Sequence, residues 1–191
     1  MDLLLNGTIV LITLAITLRF SREKGRWKPE RLKGAFRFFT VQSNVLCALA
    51  ALLMCVAPGA GWVWLLKYVG TAAVTVTMLT VFLFLGPSLG GYRDLLRGAD
   101  FFMHLVTPLL ALISFCVLER RGLCFGAAMT GLIPVALYGS LYAYKILYAP
   151  PERAWEDFYG FNKNGKWYIS LAAMLLGTFL ICLGLWALQS L

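Results

Sequence analysis

Six apolar runs recur along this chain, separated by short charged or Gly/Pro-rich breaks. A bilayer span takes about 20 predominantly apolar residues. Backbone in hydrocarbon must satisfy its own hydrogen bonds, which a single run does only as a helix. The runs predict helices over about 3–20, 35–57, 64–86, 100–118, 123–148 and 167–189. The expected fold class is an all-α integral membrane protein, one six-transmembrane-helix bundle over residues 1–191. Charged residues are 14% of the chain, against about 25% in soluble domains. Mean hydropathy is +0.77, which leaves little chain for a soluble domain.

The breaks have local causes. Arg22 to Lys33 is too charged to enter hydrocarbon. Pro58 to Gly61 and Gly86 to Gly91 are rich in helix-breaking residues. Glu119-Arg-Arg-Gly122 reads as a tight polar turn, and Ala149 to Lys166 as the longest late loop. The first run starts at Asp2 with no basic stretch or cleavage site, so it reads as a retained helix and not a signal peptide. No internal repeat or low-complexity segment is visible.

The net charge of +8 does not point to nucleic acid, because the basic residues flank apolar runs. They read as topology signals and lipid-headgroup contacts. Of 17 Lys and Arg residues, 14 fall in loops one, three and five with their flanks; the other three are Lys67, Arg120 and Arg121. The positive-inside rule puts those three loops in the cytoplasm of a cell membrane and both termini outside. Cys47, Cys55, Cys116, Cys124 and Cys182 form no CxxC pair and no metal spacing, so they read as small apolar fillers. Cys55, Cys116 and Cys124 fall towards one membrane face, which permits a disulfide that nothing else in the sequence supports.

Against this apolar background the polar residues stand out. His104 is the only histidine, and it lies inside the run Phe101 to Phe115. An ionisable side chain at membrane depth is costly and marks a functional site by default. Histidine also suits general acid–base work. Helix two carries the polar stretch Thr40-Val-Gln-Ser-Asn44, in which Thr40, Ser43 and Asn44 share a helix face. Helices two and four run the same way, and Thr40 and His104 both lie roughly 6–8 Å inside their helix starts. This shared depth permits a Thr40–His104 pair. The simpler reading is that the polar cluster bonds helices together and that His104 bonds a backbone carbonyl.

Asp100, four residues before His104, suits two roles. It is placed to accept the ring N–H as the third member of a triad does, or to cap the start of helix four. Tyr138 and Tyr142 share a face towards the same end of helix five, with Lys145 beyond them. Tyr138 suits a cavity wall, whereas Tyr148, Trp167 and Tyr168 read as an interfacial aromatic belt. Thr71, Thr75, Thr77 and Thr80 suit bonds to preceding backbone carbonyls, with Thr80 alone near the depth of the pair. A single histidine and sparse carboxylates call for no metal and no cofactor.

The run Phe38-Phe-Thr-Val-Gln-Ser-Asn44, followed by His104 ahead of Pro108, resembles the androgen-induced-gene family of integral-membrane hydrolases and its bacterial six-helix relatives. Trp155-Glu-Asp-Phe-Tyr-Gly-Phe161 adds a weaker likeness. The resemblance implies a threonine nucleophile at Thr40 and a histidine base at His104. It implies lipid-ester substrates, notably fatty acid esters of hydroxy fatty acids. Animal members of the family carry other residues after the threonine than Gln42-Ser43-Asn44.

The expected function is thus intramembrane hydrolysis of lipid or fatty-acyl esters, with membrane lipids as the other partners. Ser43, Asn44 or helix-end backbone N–H groups are candidate oxyanion donors. Arg37 and Lys145 are candidates for a substrate carboxylate or headgroup. The competing class is non-enzymatic: a six-helix protein that binds or transports a small amphiphile, or a membrane scaffold.

Overall fold

The protein is described by a computed structural model over residues 1–23 and 25–190. Lys24, counted above among the basic residues of loop one, and Leu191 lie outside the described residues. Six helices are long and apolar enough to cross a membrane. They are α1 (Asp2–Phe20), α2 (Phe39–Val56), α3 (Gly61–Ser88), α4 (Ala99–Leu118), α5 (Phe125–Leu147) and α6 (Trp167–Ser190). A two-residue antiparallel pair, β1 (Arg22–Glu23) with β2 (Arg26–Trp27), and a short helix Pro29–Ala35 occupy loop one.

Cross-chain bonds sort the ends of the helices. Tyr138 donates to the Arg37 carbonyl, and Phe38 packs edge-on against Phe158, so loops one and five meet at one end. At the other end Arg121 donates to the Pro58 carbonyl and Gln189 bonds the backbone of Phe115 and Arg121. The strongly basic loops therefore share the first end.

Small residues set the spacing of the central helices. A Cβ on Gly70 of α3 would sit 2.9 Å from the Cys47 Cα of α2, so only glycine allows that approach. Ala50, Ala51, Ala72 and Ala73 are fully buried around it. Close backbone approach through small residues is the usual way apolar helices associate without help from water. Nearer the second end Trp64 stacks on Phe115 at 5.4 Å and Tyr68 packs on the same ring. Outward faces remain apolar, as with Leu4, Leu11 and Leu14 on α1 and Leu176 and Leu188 on α6. All five cysteines are free thiols.

Three departures from the sequence expectation matter. First, the second helix does not start near residue 35. The chain leaves the short helix after Ala35, turns extended at Phe38 (φ −93°, ψ 135°) and begins α2 at Phe39. The carbonyls freed by this break are taken by tertiary partners: Gln42 Nε2 donates to Phe36 and the Tyr138 hydroxyl to Arg37. Second, α3 and α4 widen to i→i+5 turns at Val81–Leu85, Phe102–Val106 and Ser114–Leu118, the first two just before Pro87 and Pro108. A proline has no N–H for the carbonyl four residues back, which here belongs to Leu83 and His104.

Third, Lys67 within α3 and Glu119 in the turn just after α4 are both buried. Lys67 is 0% and Glu119 4% exposed. Lys67 Nζ donates to Asn6 Oδ1 at 2.5 Å, and Asn6 Nδ2 donates to Glu119 Oε1 at 2.7 Å. Ser114 adds a 3.0 Å bond to the same carboxylate oxygen, and the Trp64 indole bonds the Glu119 carbonyl. The amide of Asn6 thus relays between two opposite charges and pins α1 to α3 and α4. Removing one partner of a buried charge pair is far more damaging than replacing both. Glu119→Ala should cost about 3–5 kcal/mol, read as a large fall in thermal midpoint in detergent. The uncharged double variant Lys67→Met/Glu119→Gln should recover most of it. Equal midpoints for wild type and Glu119→Ala would show that the cluster holds nothing.

Candidate active site

The N-terminus of α2 presents Thr40 as its second residue. His104 is the sixth residue of α4, inside the widened turn ahead of Pro108. The two do not share the depth along their helices that equal offsets predict, because α2 starts four residues later than its apolar run. They meet all the same: Thr40 Oγ1 lies 3.3 Å from His104 Nε2. His104 is 7% exposed.

The other ring nitrogen fixes the chemistry. His104 Nδ1 lies 2.7 Å from the Leu95 carbonyl oxygen. A carbonyl only accepts, so Nδ1 carries the hydrogen. In the neutral ring Nε2 then holds the lone pair, facing a hydroxyl that donates to it. Hydroxyl, imidazole and carbonyl form one hydrogen-bonded chain, the kind of arrangement that can activate a hydroxyl. The orienting partner is a backbone carbonyl of loop three and not the carboxylate of Asp100. Gly98, at φ +59°, holds the N-cap position, and Asp100 sits within the first turn of α4 with no side-chain cap bond. An acidic residue there still complements the helix dipole. Asp100 thus neither orients His104 nor caps its helix through its side chain.

Ser43 and Asn44 are not free donors. Ser43 Oγ is 3.1 Å from the Thr40 carbonyl and 2.8 Å from Thr77 Oγ1. Asn44 Nδ2 donates to the Thr40 carbonyl at 2.8 Å and to the Met103 carbonyl at 3.1 Å. Asn44 therefore braces the turn of Thr40 directly to the residue before His104. Neither side chain lines the neighbouring cavity. The remaining expected donors are helix-end amides: the first N–H groups of a helix have no intrahelical acceptor, and Thr40 is among them.

That cavity is about 680 Å³ and lies between α3, α5 and α6. Thr40 and Phe39 form its wall at the loop end, beside Tyr138, Tyr142 and Tyr159. Its long walls are apolar, contributed by residues such as Val81, Val135, Met174 and Ile181. Thr77 and Thr80 are the α3 hydroxyls in its wall, whereas Thr71 and Thr75 bond carbonyls one turn back. His104 stands behind Thr40 and not in the wall. A volume of this size is typical of a small-molecule site.

Loop five closes the end of the cavity. Asp157 accepts from the Tyr142 hydroxyl (3.2 Å) and from the amides of Phe161 and Asn162 (2.7 and 2.8 Å). The fold of that loop places Tyr159 and Phe161 in the wall at this closed end. Burial pushes the Tyr159 phenol above its ordinary range, so it stays neutral. Sequence reasoning passed over Tyr159, although it lies in the Trp155 to Phe161 motif. Nor does a sequence carry any signal for the Leu95 carbonyl.

Arg37 and Lys145 stand outside the cavity. The Arg37 guanidinium lies over the Phe38 ring at 4.9 Å, and Lys145 lies over Trp155 at 5.8 Å while donating to the Arg153 carbonyl. Arg37 lines a separate small recess with Phe38, Trp155 and Glu156. Among the described residues, no three His, Cys, Asp or Glu side chains gather to hold a metal ion. No family model matches the chain, and no curated protein or solved structure matches it either.

The brace makes a direct prediction. Asn44→Ala removes two buried donors and leaves two carbonyls with one partner fewer. It should cost about 1–3 kcal/mol, measured as a lower thermal midpoint together with faster amide exchange at the start of α2. Unchanged exchange there would show that Asn44 does not hold the two helices together.

Proposed function

We propose that this chain is an integral-membrane hydrolase of lipid esters, with Thr40 as nucleophile and His104 as base. The observation that carries the reading is the Thr40–His104–Leu95 hydrogen-bond chain at the closed end of an apolar cavity. The resemblance around Thr40 and His104 points the same way. In this reading the six apolar helices span the membrane, with loops one, three and five in the cytoplasm of a cell membrane.

The chemistry follows from the tautomer. Thr40 Oγ attacks the ester carbonyl carbon and its proton passes to His104 Nε2. The tetrahedral oxyanion is met by helix-end amide hydrogens at Thr40, with the α2 dipole adding favourable potential. Collapse breaks the bond to the leaving alcohol, which takes the proton from His104. Water then attacks the acyl–threonine ester, giving its proton to Nε2, and the carboxylic acid leaves with Thr40 restored. Leu95 holds the imidazole in the required tautomer throughout. The acyl chain lies in the cavity among apolar side chains, and the ester sits at its Thr40 end.

A second reading uses the same cavity without chemistry, as a site that binds or transports a small amphiphile. Covalent labelling separates the two. A fluorophosphonate should modify Thr40 in wild-type protein, mapped by mass spectrometry, and the adduct should vanish in Thr40→Ala and His104→Ala. Ester turnover should fall by about 10³-fold or more in each variant. A folded wild type with no adduct at Thr40 would favour the binding reading.

The orientation has its own check. Cys124 is an exposed free thiol at the end opposite the basic loops. A membrane-impermeant maleimide should label it from outside intact cells, and Cys124→Ser should abolish that signal. Labelling only after permeabilisation would reverse the topology.

A further inference from the structure

The cavity is closed towards the loops and open at its side. Tyr138, Tyr142 and Phe161 are all buried, and they wall off the loop end. Four residues of the lining are themselves exposed on the outer surface: Leu83 and Phe84 on α3, Ala173 and Leu180 on α6. All four are apolar, so the opening faces whatever surrounds the apolar helices. On α6, Ala173, Gly177 and Leu180 follow one another at helical spacing on one face. They form the edge of the opening, with its smallest residue in the middle.

Two glycines in the cavity wall differ in what surrounds them. A Cβ on Gly139 would meet Met174 Cε at 2.4 Å, so that glycine is required by packing. A Cβ on Gly177 would meet nothing within 4 Å. Packing therefore does not account for Gly177, and glycine in a helix interior is unfavourable relative to alanine. What glycine provides at this position is empty space.

The α6 lining runs from Ser170 at the Thr40 end to Ile181. At helical rise that is about 16 Å, with Gly177 about 10 Å from the Ser170 end. A chain anchored by its ester at Thr40 passes Gly177 before it reaches the far wall. We propose that an acyl chain enters this cavity sideways from the bilayer, between Leu83–Phe84 and the Ala173–Gly177–Leu180 edge, and that Gly177 sets the chain length the cavity admits. The order of ester and chain, and with it the chain-length role of Gly177, rests on the reading of Thr40 as nucleophile; the lateral opening does not.

Two measurements test this in detergent-purified protein and in phosphatidylcholine vesicles. The first compares kcat/KM for p-nitrophenyl dodecanoate and p-nitrophenyl acetate in wild type, Gly177→Ala and Gly177→Leu. The dodecanoate-to-acetate ratio should fall about tenfold or more in Gly177→Leu, with Gly177→Ala between. An unchanged ratio overturns the role of Gly177. The second uses palmitate carrying a mid-chain diazirine, photolysed with Thr40→Ala protein in vesicles. Adducts should map to the α3 segment around Leu83–Phe84 and to Ala173–Leu180, should be competed by unlabelled palmitate, and should be lost in Thr40→Ala/Gly177→Leu at an unchanged thermal midpoint. Adducts spread evenly over the outer faces of α1 and α6, without competition, would mean bulk lipid contact only and would overturn the lateral site. If wild type cleaves neither ester, the hydrolase reading fails while the photolabelling still decides the cavity. If Gly177→Leu does not fold, Gly177→Ala carries both comparisons.

Discussion

A polar side chain carried into an apolar bundle has to find its partner inside it, and that constraint shapes both ends of this molecule. At one end the answer is a relay through an amide, with Asn6 between Lys67 and one oxygen of Glu119. At the other end the partners leave one lone pair facing one hydroxyl. His104 gives its ring hydrogen to Leu95, Asn44 gives both of its own to backbone carbonyls, and Ser43 engages Thr77. The Nε2 lone pair and the Thr40 hydroxyl are left facing each other, 3.3 Å apart, and Asn44 Oδ1 is buried without a partner. The first end is tied together throughout, and on the proposed reading the second keeps reactive capacity.

The backbone irregularities serve the second end. Had α2 continued from the short helix Pro29–Ala35, Thr40 would lie mid-helix with its amide bonded one turn back. The extended residue Phe38 instead makes Thr40 part of a helix N-terminus, where amides point outward and the dipole favours negative charge. Pro108 leaves the His104 carbonyl without its usual helical donor, and the helix widens around His104. Widened turns of this kind recur at functional sites because they displace a side chain from the ordinary helical register. Loop three then folds back so that Leu95, nine residues before His104, orients its ring.

The six helices were legible because hydropathy over some 20 residues is a strong, local signal. Thr40 and His104 were legible because polar residues are conspicuous in apolar runs. The break at residues 36–38 was not, since Phe36, Arg37 and Phe38 have no helix-breaking chemistry and the tertiary bonds from Gln42 and Tyr138 impose it. The burial of Lys67 and Glu119 was not legible, because a partner more than 50 positions away leaves no local trace. Asp100 looked well placed by spacing alone. A carbonyl that outcompetes it has no side chain to read. The cavity is a property of three helices that fail to fill the space between them, and Gly177 acquires meaning only once that space is seen.

The position of the Thr40–His104 pair bears on what could be cleaved there. Thr40 lies at a helix end beside three polar loops, while the cavity behind it runs along the apolar helices. An amphiphile in a bilayer has the same profile, with its ester near the headgroups and its chains in hydrocarbon. A long acyl chain needs little adjustment to enter from the side, because it moves between two apolar surroundings and little is gained or lost by transfer. Selectivity must then come from shape, which makes an unfilled glycine in the wall consequential. Water has the opposite problem: it is abundant at the loops but faces Tyr138, Tyr142, Tyr159 and Phe161 at the closed end. On the proposed reading, deacylation draws its water past that aromatic closure, so the Asp157-held loop that excludes solvent during acylation also governs release of the acid.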